Sequence, residues 1–259
     1  MKYGISTACF YPMLTEKALQ TIAEHHVPYA EVFVDTFSEV KKEYVKELKK
    51  TADFYGTKIV SLHPFSCAFE SFMLFTNYER RLNDGLELHR HYFEAMNILD
   101  AKIFIFHGDR IGSKNENKMY FERFAKLRDL GQEYGITVAQ ENVERCKSRD
   151  IDFLSEMIQY LDGNVSLVFD NKQAVRSSVD YREFINRLGN HIVHVHFSDN
   201  NNKCDCVAVG TGQVDLCGFL SLLEQKMYNN CIIIELYNEL LNNNDEIFKS
   251  YDILRLSKL

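Results

Sequence analysis

The sequence holds little proline and little glycine, 3 and 12 in 259 residues, and neither gathers into a linker that would divide the chain. It has no internal repeat, and its only biased stretches are asparagine-rich, near positions 200 and 242. No segment approaches the roughly 20 consecutive apolar residues of a membrane-crossing helix, so no membrane partner is expected. The first residues read as a strand and not as a charged leader with a leucine-rich run, so no export signal is expected either. Basic charge is in deficit: 30 Lys and Arg against 37 Asp and Glu leave a formal net charge of -7, which repels a nucleic-acid backbone unless lysines cluster locally. Seven cysteines, odd in number and scattered, do not make a disulfide framework, and the expectation is a reduced cytoplasmic protein.

What is present is an even alternation of apolar runs and amphipathic stretches in a chain that is 46% hydrophobic. Eight runs read as strands: Tyr3 to Phe10, Tyr29 to Val34, Lys58 to His63, Ala101 to His107, Ile136 to Glu141, Val165 to Asp170, His191 to Phe197 and Cys231 to Leu236. Helical spacing recurs between them, as in Thr15 to His25 with Ala18, Leu19, Ile22 and Ala23, and in Ser38 to Tyr55 with Val40, Tyr44, Val45, Leu48 and Ala52. Eight strand-helix units predict a closed parallel (β/α)8 TIM barrel, a single α/β domain over residues 1–259. An open doubly wound sheet is the alternative, but the turn Ser6-Thr7-Ala8-Cys9-Phe10 has no glycine where such a fold places its phosphate loop.

The most informative stretch is Val193-His194-Val195-His196-Phe197-Ser198-Asp199, which alternates apolar and imidazole side chains and then stops at a polar turn. Alternate residues of a strand share a face, which sets Ile192, His194 and His196 against Val193, Val195 and Phe197, with His196 last in its row. Four other apolar runs also end on a group able to bind metal: His107, Glu141, Asp170 and Glu235. In a barrel these ends share one face, and Glu141, Asp170, His196 and Glu235 supply three carboxylates and an imidazole, a set suited to one divalent ion. Oxygen donors dominate, which favours Mn²⁺ over Zn²⁺, with Co²⁺ and Mg²⁺ also compatible. Taken singly, each strand-end acid is as well explained as a helix cap or half of an ion pair. His194, one layer deeper, is expected in the core, and His25, His26, His89 and His91 on helical surfaces.

The chain resembles the xylose isomerase-like barrel superfamily, which includes sugar and sugar-phosphate isomerases and epimerases and the endonuclease IV nucleases. The resemblance runs nearly end to end, through His63-Pro64, Phe106-His107-Gly108, Glu141-Asn142, Asp170, His196-Phe197-Ser198-Asp199, Gly210-Thr211-Gly212-Gln213-Val214-Asp215 and Glu235. It implies a metal-dependent sugar isomerase or epimerase, with Glu141, Asp170, His196 and Glu235 on the metal and the two glutamates moving protons through an enediolate. His63, His107 and Gln173 would then contact a small sugar substrate, and homo-oligomers are common in the superfamily. Gln173 and Asn202 depart from the epimerase pattern, which has histidine and arginine there. The alternatives are an endonuclease acting at abasic sites and a barrel that binds sugar without turnover. The nuclease would add a second metal at His63 and His107, and would need a third held by groups at Gln173 and in Cys204-Asp205-Cys206. The Cys204-x-Cys206 pair reads as an ordinary loop, and Gly210-Thr211-Gly212 as either a phosphate cradle or a simple turn.

Overall fold

Alternation along the strands divides the apolar residues into two sets. In β4 (Ile103–Phe106), Phe104 and Phe106 join the large core beneath the helices, whereas Ile105 packs with Ala139 and Val168 in a small separate cluster, with Ile103 against it. Residues of opposite parity face opposite sides of a sheet, so the small cluster is the apolar filling of a closed sheet. The computed structural model, which describes residues 1–257, shows that sheet directly. Its strands are β1 (Lys2–Ser6), β2 (Tyr29–Val34), β3 (Lys58–Pro64), β4, β5 (Thr137–Glu141), β6 (Ser166–Asp170), β7 (Ile192–Phe197) and β10 (Cys231–Ile234). They close in the order β1-β10-β7-β6-β5-β4-β3-β2, each pair parallel. The remaining strands, β8 (Asp199–Asn201) and β9 (Cys204–Val207), form an antiparallel hairpin after β7.

Helices return the chain between strands, and their buried faces follow the sequence pattern. Ala18, Leu19, Ile22 and Ala23 are buried on Thr15–Glu24, and Val45, Leu48 and Ala52 on Lys42–Tyr55. The α-helix starts later than residue 38, because Phe37–Val40 is a 3-10 turn. β1 stops at Ser6, whose hydroxyl accepts a hydrogen bond from the Ala8 N–H at 3.3 Å, and Thr7–Phe10 turns into a 3-10 helix instead of extending the strand. In β7 a bulge interrupts the simple alternation. Leu167 pairs with Ile192 but Val168 with His194, so Val193 is the extra residue. Ile192 therefore belongs to the outer core and not to the row of His194 and His196. No helix among the described residues is long and apolar enough to cross a membrane.

The tips of β4 and β5 are tied together by one buried amide. Gln140 Nε2 donates to the carbonyls of Phe106 at 3.1 Å, His107 at 2.9 Å and Glu141 at 2.9 Å, while its oxygen accepts from Tyr120 Oη at 2.5 Å. Gly108 makes the turn at this point with φ +93°, and a Cβ there would lie 1.9 Å from Tyr120 Oη. Both the left-handed backbone and the collision penalise a side chain. Gly108→Ala is expected to lower unfolding free energy by roughly 3 kcal/mol in urea titrations; a loss within experimental error would show that the β4 tip is not constrained in this way.

Candidate active site

The carboxyl ends of the strands converge on a buried polar cluster. Glu141, Asp170, His196 and Glu235 offer ligand atoms within 4.8 Å of one another. His196 is their hub: its Nδ1 lies 3.1 Å from Glu141 Oε1, 3.2 Å from Glu235 Oε2 and 3.7 Å from Asp170 Oδ2. Glu235 falls one residue past β10, its N–H donating to the Phe197 carbonyl at 3.2 Å, which holds its side chain beside β7. His63 and His107 stand next to the cluster with their Nε2 atoms 2.8 Å apart, and His63 Nδ1 lies 3.3 Å from Glu235 Oε1. With Glu141 they form a second group of potential ligands, as His63, His196 and Glu235 do with Glu31.

Glu31 was not among the residues singled out from the sequence, yet it organises the cluster from below. It is completely buried on β2, and its Oε2 accepts from Ser61 Oγ at 2.7 Å and from Nε2 of both His194 and His196 at 3.0 Å. A carboxylate behind an imidazole fixes the ring's orientation and leaves the opposite nitrogen to face the site. The signal was available in β2, where a lone acid interrupts Ala30-Glu31-Val32-Phe33-Val34. Glu70, likewise missed, accepts from His107 Nδ1 at 3.0 Å and from the N–H groups of His107 and Gly108 at 2.9 Å each. His89 is buried against expectation, with Nδ1 2.7 Å from the Gly85 carbonyl, because its helix face meets the aromatic core of Tyr92, Phe93 and Phe104.

Lys172 is the third residue outside the original set. Only 3% exposed, it bridges Asp170 Oδ2 and Glu235 Oε2 through its Nζ. Asp170 thus combines both of the ordinary roles of a strand-end acid, since its Oδ1 caps the helix Asn171–Arg176 by accepting the Gln173 N–H at 3.0 Å. The four-donor set fits a divalent ion in chemistry and spacing, and the buried acids and imidazoles could hold one. Lys172 would have to leave Asp170 and Glu235 for the ion to use all four.

Gln173 Oε1 accepts the Glu144 N–H at 3.0 Å. Asp205 pairs with Arg176 at 2.5 Å, and Cys204 Sγ donates to the Cys206 carbonyl at 3.1 Å within the β8–β9 hairpin, so these groups do not assemble with Gln173 into a further ligand set. Asn202 is exposed at the hairpin turn. The Gly210-Thr211-Gly212 loop is a turn wrapped on the chain's own anion: Asp199 accepts the N–H groups of Gly210, Gly212 and Val214 at 3.0 Å each. Those donors are not free for phosphate.

Opposite charges meet throughout the site. Burial alone would raise the Glu31 carboxyl, but His196, His194 and His63 hold it well below 4.5. Burial likewise opposes ionisation of Glu141, and the hydrogen bond and charge of His196 bring it to about 2. Glu235 follows, with Lys172 and His196 outweighing burial. His63 is pushed up to about 10 and His196 well above 6.5, because burial is outweighed by Glu235 and Glu31 acting on both rings. His194 goes down instead, burial dominating, and stays neutral.

A depressed carboxyl contributes stability that is fully present above the unfolded value of 4.5 and is lost as pH falls through the folded value. A raised imidazole contributes stability fully present below 6.5 and lost as pH rises through the folded value, near 10 for His63. After EDTA dialysis, the melting temperature should therefore be highest between pH 4.5 and 6.5, falling toward pH 2 and toward pH 10. Glu31→Gln removes the buried charge that His194 and His196 share and should cost about 3 kcal/mol at pH 6 in chemical denaturation. A monotonic pH profile, or a Gln variant as stable as the parent, would show that these ion pairs do not support the barrel.

Comparison with known proteins places this geometry in a family. A family model described as xylose isomerase-like TIM barrel matches residues 19–256. An uncharacterized protein from Methanocaldococcus jannaschii is 25% identical over 248 residues, covering 91% of this chain and 83% of the relative. Among solved structures, a D-tagatose 3-epimerase-like protein superposes with a TM-score of 0.83 at 24% identity, covering 100% of this chain and 97% of the other. A 3-keto-D-glucoside 4-epimerase from E. coli gives a TM-score of 0.76 at 16% identity, covering 100% and 99%. The closed eight-stranded barrel, its polar strand tips and a family match that begins within the first helix and runs to residue 256 agree, and the chain belongs to the xylose isomerase-like TIM barrel family.

Proposed function

We propose that the protein is a sugar isomerase or epimerase that moves a proton at the carbon beside a carbonyl, through an enediolate. The observation that carries this reading is the pair Glu141 and Glu235, two buried carboxylates from strands separated by β6 and β7, which flank His196 Nδ1 at 3.1 and 3.2 Å. Acids that reach a substrate from different sides can take a proton on one face and return one on the other, and return on the opposite face inverts the carbon. Both are ionised at neutral pH, the state a proton acceptor needs. His63 and His107, each 5% exposed beside the cluster, would contact substrate oxygens by giving up the 2.8 Å contact between their Nε2 atoms. Two of the similar structures carry names of sugar epimerases, which supports the same substrate class here.

Glu141, Asp170, His196 and Glu235 would hold the divalent ion. When bound, that ion supplies positive charge where the carbonyl oxygen gains negative charge, and the oxygen-rich donor set favours Mn²⁺. Glu31 keeps His196 turned so that Nδ1 faces the two proton-transferring acids. The described residues contain seven free cysteines, which suits a reducing, cytoplasmic setting.

The test is solvent exchange. Incubation in D₂O with free and phosphorylated ketohexoses, D-tagatose first, should place deuterium at the reacting carbon. Glu141→Gln and Glu235→Gln should each slow turnover on the order of 100-fold or more. Turnover without solvent deuterium, together with full activity in both variants, would point to hydride transfer or to another site.

A further inference from the structure

Among the described residues, Lys172 is a buried charged group that the proton-transfer reading leaves without a task. Its position is set by Asp170-Asn171-Lys172-Gln173, in which Asp170 ends β6 and caps the helix Asn171–Arg176. One Asp170 oxygen is taken by that cap at 3.0 Å, and the other meets the Lys172 ammonium. The same ammonium meets Glu235 Oε2, while the side chain passes the Tyr237 ring, with Nζ 5.7 Å from its centroid. The same two oxygens, Asp170 Oδ2 and Glu235 Oε2, also lie beside His196 Nδ1, at 3.7 and 3.2 Å. Lys172 therefore holds two of the four donor residues through the same oxygens that face His196.

An ammonium and a divalent ion cannot share those oxygens. Two positive centres about 3 Å apart repel strongly in a water-poor site, and each needs the same lone pairs. We propose that Lys172 is the resident cation of this pocket, and that a divalent ion takes the Glu141, Asp170, His196 and Glu235 donors only by displacing it. The lysine already supplies Asp170 and Glu235 with the positive partner that their burial requires, so the pocket is complete without metal. Loading then carries the cost of moving a buried ammonium out past Tyr237, and only the fraction of molecules with Lys172 withdrawn can bind. Apparent affinity falls by that fraction. The inference rests on the donor geometry and not on sugar turnover, so a metal-binding experiment tests it even if the protein acts on no sugar.

Parent protein and Lys172→Met, both dialysed against EDTA and checked for folding by circular dichroism, should be titrated with Mn²⁺ and free ion followed by electron paramagnetic resonance. The variant is expected to bind about 10-fold or more tightly than the parent, and its melting temperature, lowered in EDTA, should rise with Mn²⁺ more than the parent's does. Should Lys172→Met not fold, labelling of the parent answers the same question. Amine-reactive modification read by peptide mass spectrometry should spare Lys172 in EDTA and reach it at saturating Mn²⁺. Equal Mn²⁺ affinity in parent and variant would overturn the proposal and place the ion at His63, His107 and Glu141, which Lys172 does not touch. Lys172 labelling unchanged by saturating Mn²⁺ would overturn it as well.

Discussion

Charge of one sign can stay inside a closed barrel only beside charge of the other sign, and this constraint shapes the interior. Glu31, Glu141, Asp170 and Glu235 are all buried and meet around His196. Left alone, each would protonate instead of remaining ionised in a water-poor setting. The chain answers with His196 between them, His63 beside Glu235 and Lys172 between Asp170 and Glu235. His63 and His196 are held charged by the same contacts that keep Glu31, Glu141 and Glu235 ionised, so removing one member alters the protonation of the rest.

This mutual dependence explains why the supporting residues lie outside the ligand set itself. Glu31 touches no other carboxylate, yet it sets the ring of His196 and neutralises it from behind. Glu70 does the same for His107 from a short helix after β3, and Gln140 joins the β4 and β5 tips from which His107 and Glu141 project. The rim follows a parallel rule on a smaller scale: Asp199 satisfies the backbone donors of the Gly210-to-Val214 loop, so the segment after the hairpin is folded around an internal anion.

A cation pocket that contains its own lysine differs in kind from an open ligand set. In an open set, affinity follows from donor number and type. Here it would also depend on where the ammonium can go, which would link metal binding to the short helix after β6 and to Tyr237. The glutamates of the proposed proton transfer would feel the same link, because Glu235 is both a partner of Lys172 and a neighbour of His196.

Much of this was legible in the chain. Period-two alternation with polar residues at the ends of successive runs marks eight parallel strands whose tips meet, and it identifies Glu141, Asp170, His196 and Glu235 from residue type and place alone. Local chemistry also decided the Asp170 cap and the absence of glycine-rich phosphate binding at the first turn. What needed the tertiary structure was the pairing. Glu31 and His196 are 165 residues apart, and Lys172 and Glu235 are 63 apart. A lysine two residues after a strand reads as solvated, and a lone acid in β2 reads as an interruption, until closure of the barrel brings their partners into contact. Sequence periodicity determines which face a side chain occupies; only the closed sheet decides which atoms share that face closely enough to exchange a proton or a cation.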